Sequence, residues 1–318
     1  MAKTPAKKAP ASTVYGPVPS RRLGFSLGID LFASKVCTFD CVYCQLGKGG
    51  KKSAVRKAYV PERRVLAGLK KALAKGHKLD HVTFSGSGEP TLHAGIGRLI
   101  REAKKLTRTP VAVLTNASLL GSKEVREELR AADLVVPSLD AALPPVWKRV
   151  NRPMPSLDLE RIVEGLEAFR KVFKGRIWLE VMLVKGVNDG PGNIEALKKA
   201  IARIKPDKVQ LNTVTRPPAE KTAAALGPEE LEGICRRLGG RAEVVVDFKD
   251  KKQTPARRRL KEVLFGLIRR RPVTLEDMSA SLGETREDIR RQLEALVQEK
   301  KVVRSSVKDR EYYEASKA

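Results

Sequence analysis

The chain has 318 residues, 42% of them hydrophobic, with 63 Lys and Arg against 37 Asp and Glu, a formal net charge of +26. That length suits about two domains of ~150 residues each, and the sequence contains no apolar run of the ~18 residues that a membrane span needs. The charge points to a polyanionic partner (RNA, DNA or an anionic substrate) unless every exposed face is simply basic.

The opening "MAKTPAKKAPAS", residues 1–12, is rich in Lys, Ala and Pro with no apolar stretch behind it. It reads as a disordered solvated tail rather than a signal peptide. With few cysteines, three of them clustered, a reducing cytoplasm is expected.

From residue 25 to about 250, strand and helix patterns alternate. "FSLGIDLFA" reads as a strand that leads into a cysteine loop. "VPERRVLAGLKKALAKG" reads as a helix, with Val65, Leu66, Leu69, Ala72 and Leu73 on one face. "DHVTFSG", "PVAVLTN", "DLVVPSLD", "RIWLEVMLV" and "DKVQLNTV" follow as strands with helices between them, and "RAEVVVDF" reads as an edge strand. Near-continuous apolar strands separated by helices predict a parallel sheet covered by helices. The stretches of chemical interest all follow strand ends: the cysteine loop, "SGSGEPT", "TNAS", "SLDAA", "KGVND" and "NTVTRPP". In α/β barrels the C-terminal strand ends carry the chemistry.

Cys37, Cys41 and Cys44 stand in "KVCTFDCVYC". A structural zinc site would need four ligands, normally from two separate loops. A disulfide framework needs an even set in a short secreted chain. A two-cysteine redox motif would leave Cys37 unused. An incomplete cluster site remains: three thiolates on a [4Fe–4S] cube leave one iron open. Cys235 lies on an apolar helical stripe with Leu231, Ile234 and Leu238, so it is expected in the core.

After the stretch "DKKQTPARRR" the character changes. "RRRLKEVLFGLIRRR", "TLEDMSASLG" and "TREDIRRQLEALVQEK" read as three helices, the last two opening on capping boxes, Thr274–Asp277 and Thr285–Asp288. "KVVRSSVKDREYYEA" reads as two strands around a polar turn. Three helices and a hairpin are the winged-helix order.

"CTFDCVYC" resembles the Cys-x3-Cys-x2-Cys motif of radical S-adenosylmethionine (SAM) enzymes. Residues 13–47, with "FSGSGEPTLH", "LVKGVND" and "QLNTVTRPPAE", resemble a subfamily related to wybutosine-synthesis iron–sulfur oxidoreductases. The resemblance covers about residues 13–250 and implies a partial (β/α)6 TIM-like barrel there; the element order after it gives a linker and winged-helix domain over 251–318. It implies a [4Fe–4S] cluster on Cys37, Cys41 and Cys44, whose open iron chelates SAM. One electron from a flavodoxin- or ferredoxin-type donor would cleave SAM to methionine and a 5′-deoxyadenosyl radical. By the same resemblance Gly86, Ser87, Gly88 and Glu89 form the loop that receives the SAM ammonium, with serine replacing the first glycine of a Gly-Gly-Glu motif. Asn116, Ser138 and Asp140 would contact the ribose and carboxylate of SAM, and Tyr43 would pack near the adenine.

Two substrate classes stay open: RNA, tRNA in particular, or a peptide or protein recognised by the winged helix. Asn212 and Arg216 are the candidate substrate contacts. An iron–sulfur DNA-binding regulator is the alternative from another class. Its third helix, however, interleaves Arg286, Arg290 and Arg291 with Glu287, Asp288 and Glu294. Mixed signs with a Glu287–Arg291 pairing read as a solvated face, so specific DNA binding is not expected. His77, His81 and His93 show no ligand spacing, and His93, which follows the "SGSGEPT" loop, is expected to be solvated.

Overall fold

The computed structural model describes residues 12–245, 260–282, 284–307 and 310–316. The expected tail before residue 12, the linker over 250–259, the end of "RAEVVVDF" and the turn at 308–309 lie outside the described residues. In chain order the first elements are β1 (Val14–Ser20), β2 (Gly24–Ile29), β3 (Val36–Cys37), β4 (Lys51–Lys52), α1 (Glu62–Leu73) and β5 (His81–Phe84). Next come α2 (Ile96–Leu106), β6 (Val111–Thr115), α3 (Lys123–Leu129), β7 (Leu134–Pro137), α4 (Pro144–Asn151) and α5 (Leu159–Val172). β8 (Arg176–Leu183), α6 (Pro191–Ile204), β9 (Lys208–Thr213), α7 (Pro228–Leu238) and β10 (Ala242–Val244) follow.

Among the described residues one sheet has the order β1-β2-β5-β6-β7-β8-β9-β10. Every neighbouring pair is parallel except β1–β2. The six expected strands are β2 and β5 to β9, in sequence order, as repeated strand–helix crossovers produce. Their apolar runs are buried because helices cover them: Val82, Phe84, Val111, Val113, Val135, Leu179 and Leu211 lie in one core with Val65, Leu99, Leu166 and Leu197. The antiparallel β1, the two-residue strands β3 and β4 and the short helix α4 were not expected from the sequence. In α4, Pro144 and Pro145 occupy the first helical positions, where a missing N–H costs nothing, and Arg152 ends it with φ 45°.

The remaining elements are α8 (Leu260–Ile268), α9 (Leu275–Leu282), α10 (Arg286–Gln298), β11 (Val302–Val307) and β12 (Arg310–Ala315), the last two an antiparallel pair. Both expected caps form, with Asp277 N donating to Thr274 Oγ1 (3.0 Å) and Asp288 N to Thr285 Oγ1 (3.1 Å). Leu264, Leu267, Ile268, Met278, Ile289 and Leu293 make a second core, and Val18 of β1 belongs to it. This C-terminal unit therefore rests on the β1 edge of the sheet. It also reaches the far side: Tyr312 Oη donates to Thr215 O, just beyond β9, at 2.5 Å. One small unit touching both flanks means that the sheet is curled, with the C-terminal unit across its open seam.

Candidate functional site

The site forms where β2, β5, β6, β7 and β8 end. The cysteine loop follows β2 and is held by two neighbours. Val36 N donates to Ser87 O and Glu89 N donates to Val36 O, both at 3.1 Å, which joins the loop to "SGSGE". The approach is so close that a Cβ on Gly88 would lie 1.9 Å from Val36 O, so only glycine fits. On the other flank the end of α4 accepts from the loop, Val42 N to Val150 O at 3.0 Å and Asp40 N to Asn151 O at 3.1 Å. Phe39 packs edge-on against Trp147, centroids 5.8 Å apart. Such a pair contributes about 0.5–1.5 kcal/mol beyond its buried area.

Two side-chain amides point at cysteine sulfur. Asn116 Nδ2 lies 3.4 Å from Cys37 Sγ and 2.7 Å from Thr38 Oγ1. Asn151 Nδ2 lies 3.3 Å from Cys41 Sγ and 2.6 Å from Asp140 Oδ2. The cysteines are free and partly buried. Burial, then the charge of Glu89, pushes the Cys37 thiol up to about 12. Burial, then Asp140, pushes Cys41 well above its ordinary value. Burial thus disfavours free thiolates at Cys37 and Cys41. Amide N–H groups aimed at sulfur do suit bound thiolates, because hydrogen bonds to the sulfurs tune an iron–sulfur cluster. Among the described residues no three His, Cys, Asp or Glu side chains converge on a single ion. Three thiolates that each take a different iron of a cube need no such convergence, so the donor set fits a cluster.

A sequence profile described as the radical SAM superfamily matches residues 32–203. The chain belongs to the radical SAM superfamily. A "UPF0026 protein" of Helicobacter pylori (strain J99) is 32% identical over 314 residues, 94% of this chain and 96% of that protein. A Brachyspira hyodysenteriae protein named "GTPase Obg" is 38% identical over 298 residues, 93% of this chain and 44% of its own length. The chain thus spans less than half of that relative, and it has no G-x-x-x-x-G-K-S/T phosphate loop. Among solved structures, TYW1 with a lysine–pyruvate adduct bound superposes with a TM-score of 0.52 at 20% identity, covering 70% of this chain and 75% of that one. At that identity the likeness concerns the fold.

Around the radical SAM cysteines, the other candidate residues fall at two depths. Glu89 is 2% exposed and its carboxylate accepts four hydrogen bonds. Oε1 accepts from Thr91 N (3.0 Å), Thr91 Oγ1 (2.6 Å) and Thr115 Oγ1 (2.6 Å), and Oε2 accepts from Asn116 N (2.6 Å). Burial raises its pKa against those bonds. Three donors crowd Oε1 and one reaches Oε2, so Glu89 fixes the loop and the β6 end while Oε2 keeps an acceptor site for one further donor. Asp140 is similarly committed. Its Oδ1 accepts from Met182 N (2.9 Å), and its Oδ2 accepts from Asn151 and the Tyr43 hydroxyl. Burial raises it to about 6. Tyr43 is thereby tied to β7 through its hydroxyl, which sets the direction of its ring. Ser138 Oγ reaches Glu180 Oε2 (3.4 Å), and Asn212 Nδ2 reaches Glu180 Oε1 (3.3 Å). Glu180 also pairs with Arg22 from the β1–β2 turn.

Asp30, at the end of β2, was not among the sequence candidates, although it obeys the strand-end rule that found the others. Its Oδ1 accepts from Ser87 N (3.1 Å) and Phe32 N (3.1 Å), and its Oδ2 from Ser87 Oγ (2.7 Å). Gly86 takes φ +136°, and a Cβ there would lie 2.5 Å from Asp30 Cγ. Asn151 was missed because α4 was; the Pro pair followed by Trp147 and Val150 was the available signal. Three expectations need correction. His93 is fully buried, its Nε2 paired with Val60 O at 2.8 Å and its Nδ1 accepting from Gly95 N at 3.1 Å. Cys235 is only partly buried, at the margin of the core rather than within it. On α10, Arg291 pairs with Asp288 (2.9 Å), not with Glu287.

Proposed function

We propose that this radical SAM protein holds one [4Fe–4S] cluster on Cys37, Cys41 and Cys44, cleaves SAM reductively and acts on RNA, tRNA in particular. The observation that carries the cofactor reading is the pair of amides, Asn116 and Asn151, aimed at Cys37 and Cys41 sulfur. When bound, the cluster supplies the electron that converts SAM to methionine and a 5′-deoxyadenosyl radical. The chain's own residues bind and orient. The Ser85–Glu89 stretch, buttressed by Asp30, Glu89 and the Val36 contact, presents backbone to the amino end of SAM. Asp140 holds Tyr43 and Asn151, fixing one side of the cysteine loop.

The RNA reading is supported by the net charge of +26, because phosphate neutralisation dominates nucleic-acid affinity. The C-terminal three helices and hairpin are read as a winged-helix module. Arginines Arg286 and Arg291 of α10 face Glu276 (3.9 Å) and Asp288 (2.9 Å). Charges engaged within the fold favour a role other than reading a DNA groove.

The test is anaerobic reconstitution, reduction, and a 5′-deoxyadenosine assay with and without bulk tRNA. SAM cleavage stimulated by tRNA, with a mass change on a nucleoside, is the expected result. Absence of 5′-deoxyadenosine in a fully loaded protein overturns the enzyme reading. Cleavage stimulated by peptides and not by tRNA overturns the RNA reading.

A further inference from the structure

After Cys44 the chain turns back and lies along the cysteine loop. Gly47 N donates to Cys44 O (3.2 Å), and Lys35 Nζ ties Asp40 Oδ1 (2.6 Å) to Gly47 O (2.7 Å). β4 then pairs in parallel with β3, Lys51 beside Val36 and Lys52 beside Cys37. Ser53 N donates to Cys37 O at 3.0 Å. One hydrogen bond thus joins this segment to Cys37, and from that carbonyl only Cα and Cβ stand before Sγ.

The outer face of the segment is basic, with Lys48, Lys51 and Lys52 exposed. Its nearby carboxylates are engaged. Asp40 is held by Lys35 and Glu220 by Lys48 (2.7 Å) and Arg152 (2.6 Å), while among the described residues Lys51 and Lys52 have no ion pair. Three residues on from Lys52, Val55 is 64% exposed. Its backbone is pinned in that position: Val55 N donates to Ser53 Oγ (3.1 Å) and Val55 O accepts from Tyr59 Oη (2.7 Å). An apolar side chain held out beside lysines suits a protein surface, whereas a phosphate backbone gains nothing from it.

β3 separates these lysines from the loop proposed to receive SAM, because Val36 pairs with Lys51 on one side and with Gly88 on the other. A substrate bound at the lysines would lie across β3 from SAM. An electron needs only a short bonded path, which the Ser53–Cys37 hydrogen bond supplies.

We propose that Lys48, Lys51, Lys52 and Val55 form the docking surface for an acidic one-electron carrier protein. The carrier gives up one electron and the cluster takes up one, with no bond or proton changing place on this chain. The redox role rests on the cluster proposed above. Electron-transfer encounters bury little surface and depend on opposite charge for their rate, and the net charge of +26 steers an anionic protein toward this chain.

The experiment uses the full reconstituted chain, with a flavodoxin and a ferredoxin of net negative charge as probes. Titration calorimetry with the oxidised probes reads docking without electron transfer, whether or not a cluster is present. Stopped-flow mixing with the reduced probes reads the bleaching of cluster absorbance, after iron content has been compared across variants. The expected result is saturable binding of one probe that weakens as KCl is raised. In K51E/K52E its affinity and the bleaching rate should fall about tenfold or more, and V55D should also bind more weakly. K198E/K199E on α6, equally exposed and equal in charge change, should match wild type. Should K51E/K52E lose iron, calorimetry alone decides. Docking by a wild-type chain that holds no iron supports the surface and overturns the cluster reading instead. No saturable binding of either probe, equal binding by K51E/K52E and wild type, or an equal loss in K198E/K199E overturns the proposal. Loss of tRNA binding in K51E/K52E with carrier binding intact overturns it as well and assigns the lysines to RNA.

Discussion

Arg270 of the C-terminal unit forms an ion pair with Asp30 at the end of β2, Nε to Oδ2 at 3.5 Å, with side chains 8% and 1% exposed. The same guanidinium lies over the Tyr15 ring, 4.5 Å from its centroid, and donates to Ser12 O at 2.7 Å. Tyr15 and Asp30 in turn hold Ser85 (2.9 Å) and Ser87 (3.1 and 2.7 Å). Two bonds therefore separate α8 from the loop proposed to receive SAM. The C-terminal unit is part of that loop's support, although its sequence reads as a separate recognition module.

Breaking one partner of a buried pair costs about 3–5 kcal/mol, so R270M is expected to melt well below wild type and to bind SAM more weakly. The deficit depends on pH. Burial already holds Asp30 above its ordinary value, and the charge of Arg270 is the main opposing cause. Without it the folded pKa rises further above the unfolded value of ~3.9. Stability from such a group is fullest below the unfolded pKa and falls as pH rises through the folded one. The melting deficit of R270M is expected to be smaller at pH 5 than at pH 8; equal deficits would show that Asp30 does not carry it.

Loss of either sulfur-directed amide is expected to weaken the cluster without unfolding the chain. Changes to groups that support a metal's ligands typically cost about 10–100-fold in metal affinity. N151L should lose iron to a chelator faster than wild type and show a more negative midpoint potential, because the thiolate loses a donor. Chelation kinetics and a redox titration read both effects.

Iron content separates the cysteines. About four irons per chain are expected after reconstitution. C37A, C41A and C44A should lose them, while C235A should keep them, since Cys235 lies on α7 at the core margin. Iron and sulfide analysis with absorption spectra decides this. Loss of the cluster in C235A would mean a fourth ligand.

Glu89 shows where sequence reasoning stops. Its position after a glycine-rich strand end was legible, and so were Cys37, Cys41 and Cys44, because spacing along the chain determines them. What its carboxylate does depends, beyond its neighbour Thr91, on Thr115 and the Asn116 N–H, which the fold brings from the end of β6. The parallel strands were legible because burial on both faces makes them continuously apolar. β1 was not, because its pattern is set by contact with a C-terminal unit some 250 residues away. Asn151 and Arg270 were invisible for the same reason, each acting on a residue distant in sequence. For E89A the structure predicts a loss of stability as well as of SAM affinity, since four donors are left without their acceptor at about 1–3 kcal/mol per unsatisfied group. Thermal melting of E89A beside E89Q reads it; an unchanged melting temperature in E89A would restore a purely ligand-facing role.

The last expectation concerns removal of the whole C-terminal unit. Were it an independent module, a chain ending at residue 250 would keep its cluster and its SAM affinity, both of which belong to the sheet. The contacts argue otherwise. Truncation exposes Val18 and Tyr15, which pack against Leu264, Met278 and Ile289 in a shared core. It also strands Asp30 as a buried carboxylate without its cation. Cluster ligation should survive, because Asn116, Asn151 and the α4 contacts all lie before residue 250. SAM affinity should fall, because Ser85 and Ser87 lose the residues that fix Tyr15 and Asp30. The expected outcome is thus a split: iron content near wild type, SAM binding weakened by about tenfold or more, and a lowered melting temperature. Iron analysis and equilibrium SAM binding on the truncated and full chains measure the two arms. Full SAM affinity in the truncated chain would show that α8 only rests on the sheet, and would return the C-terminal unit to a recognition role alone.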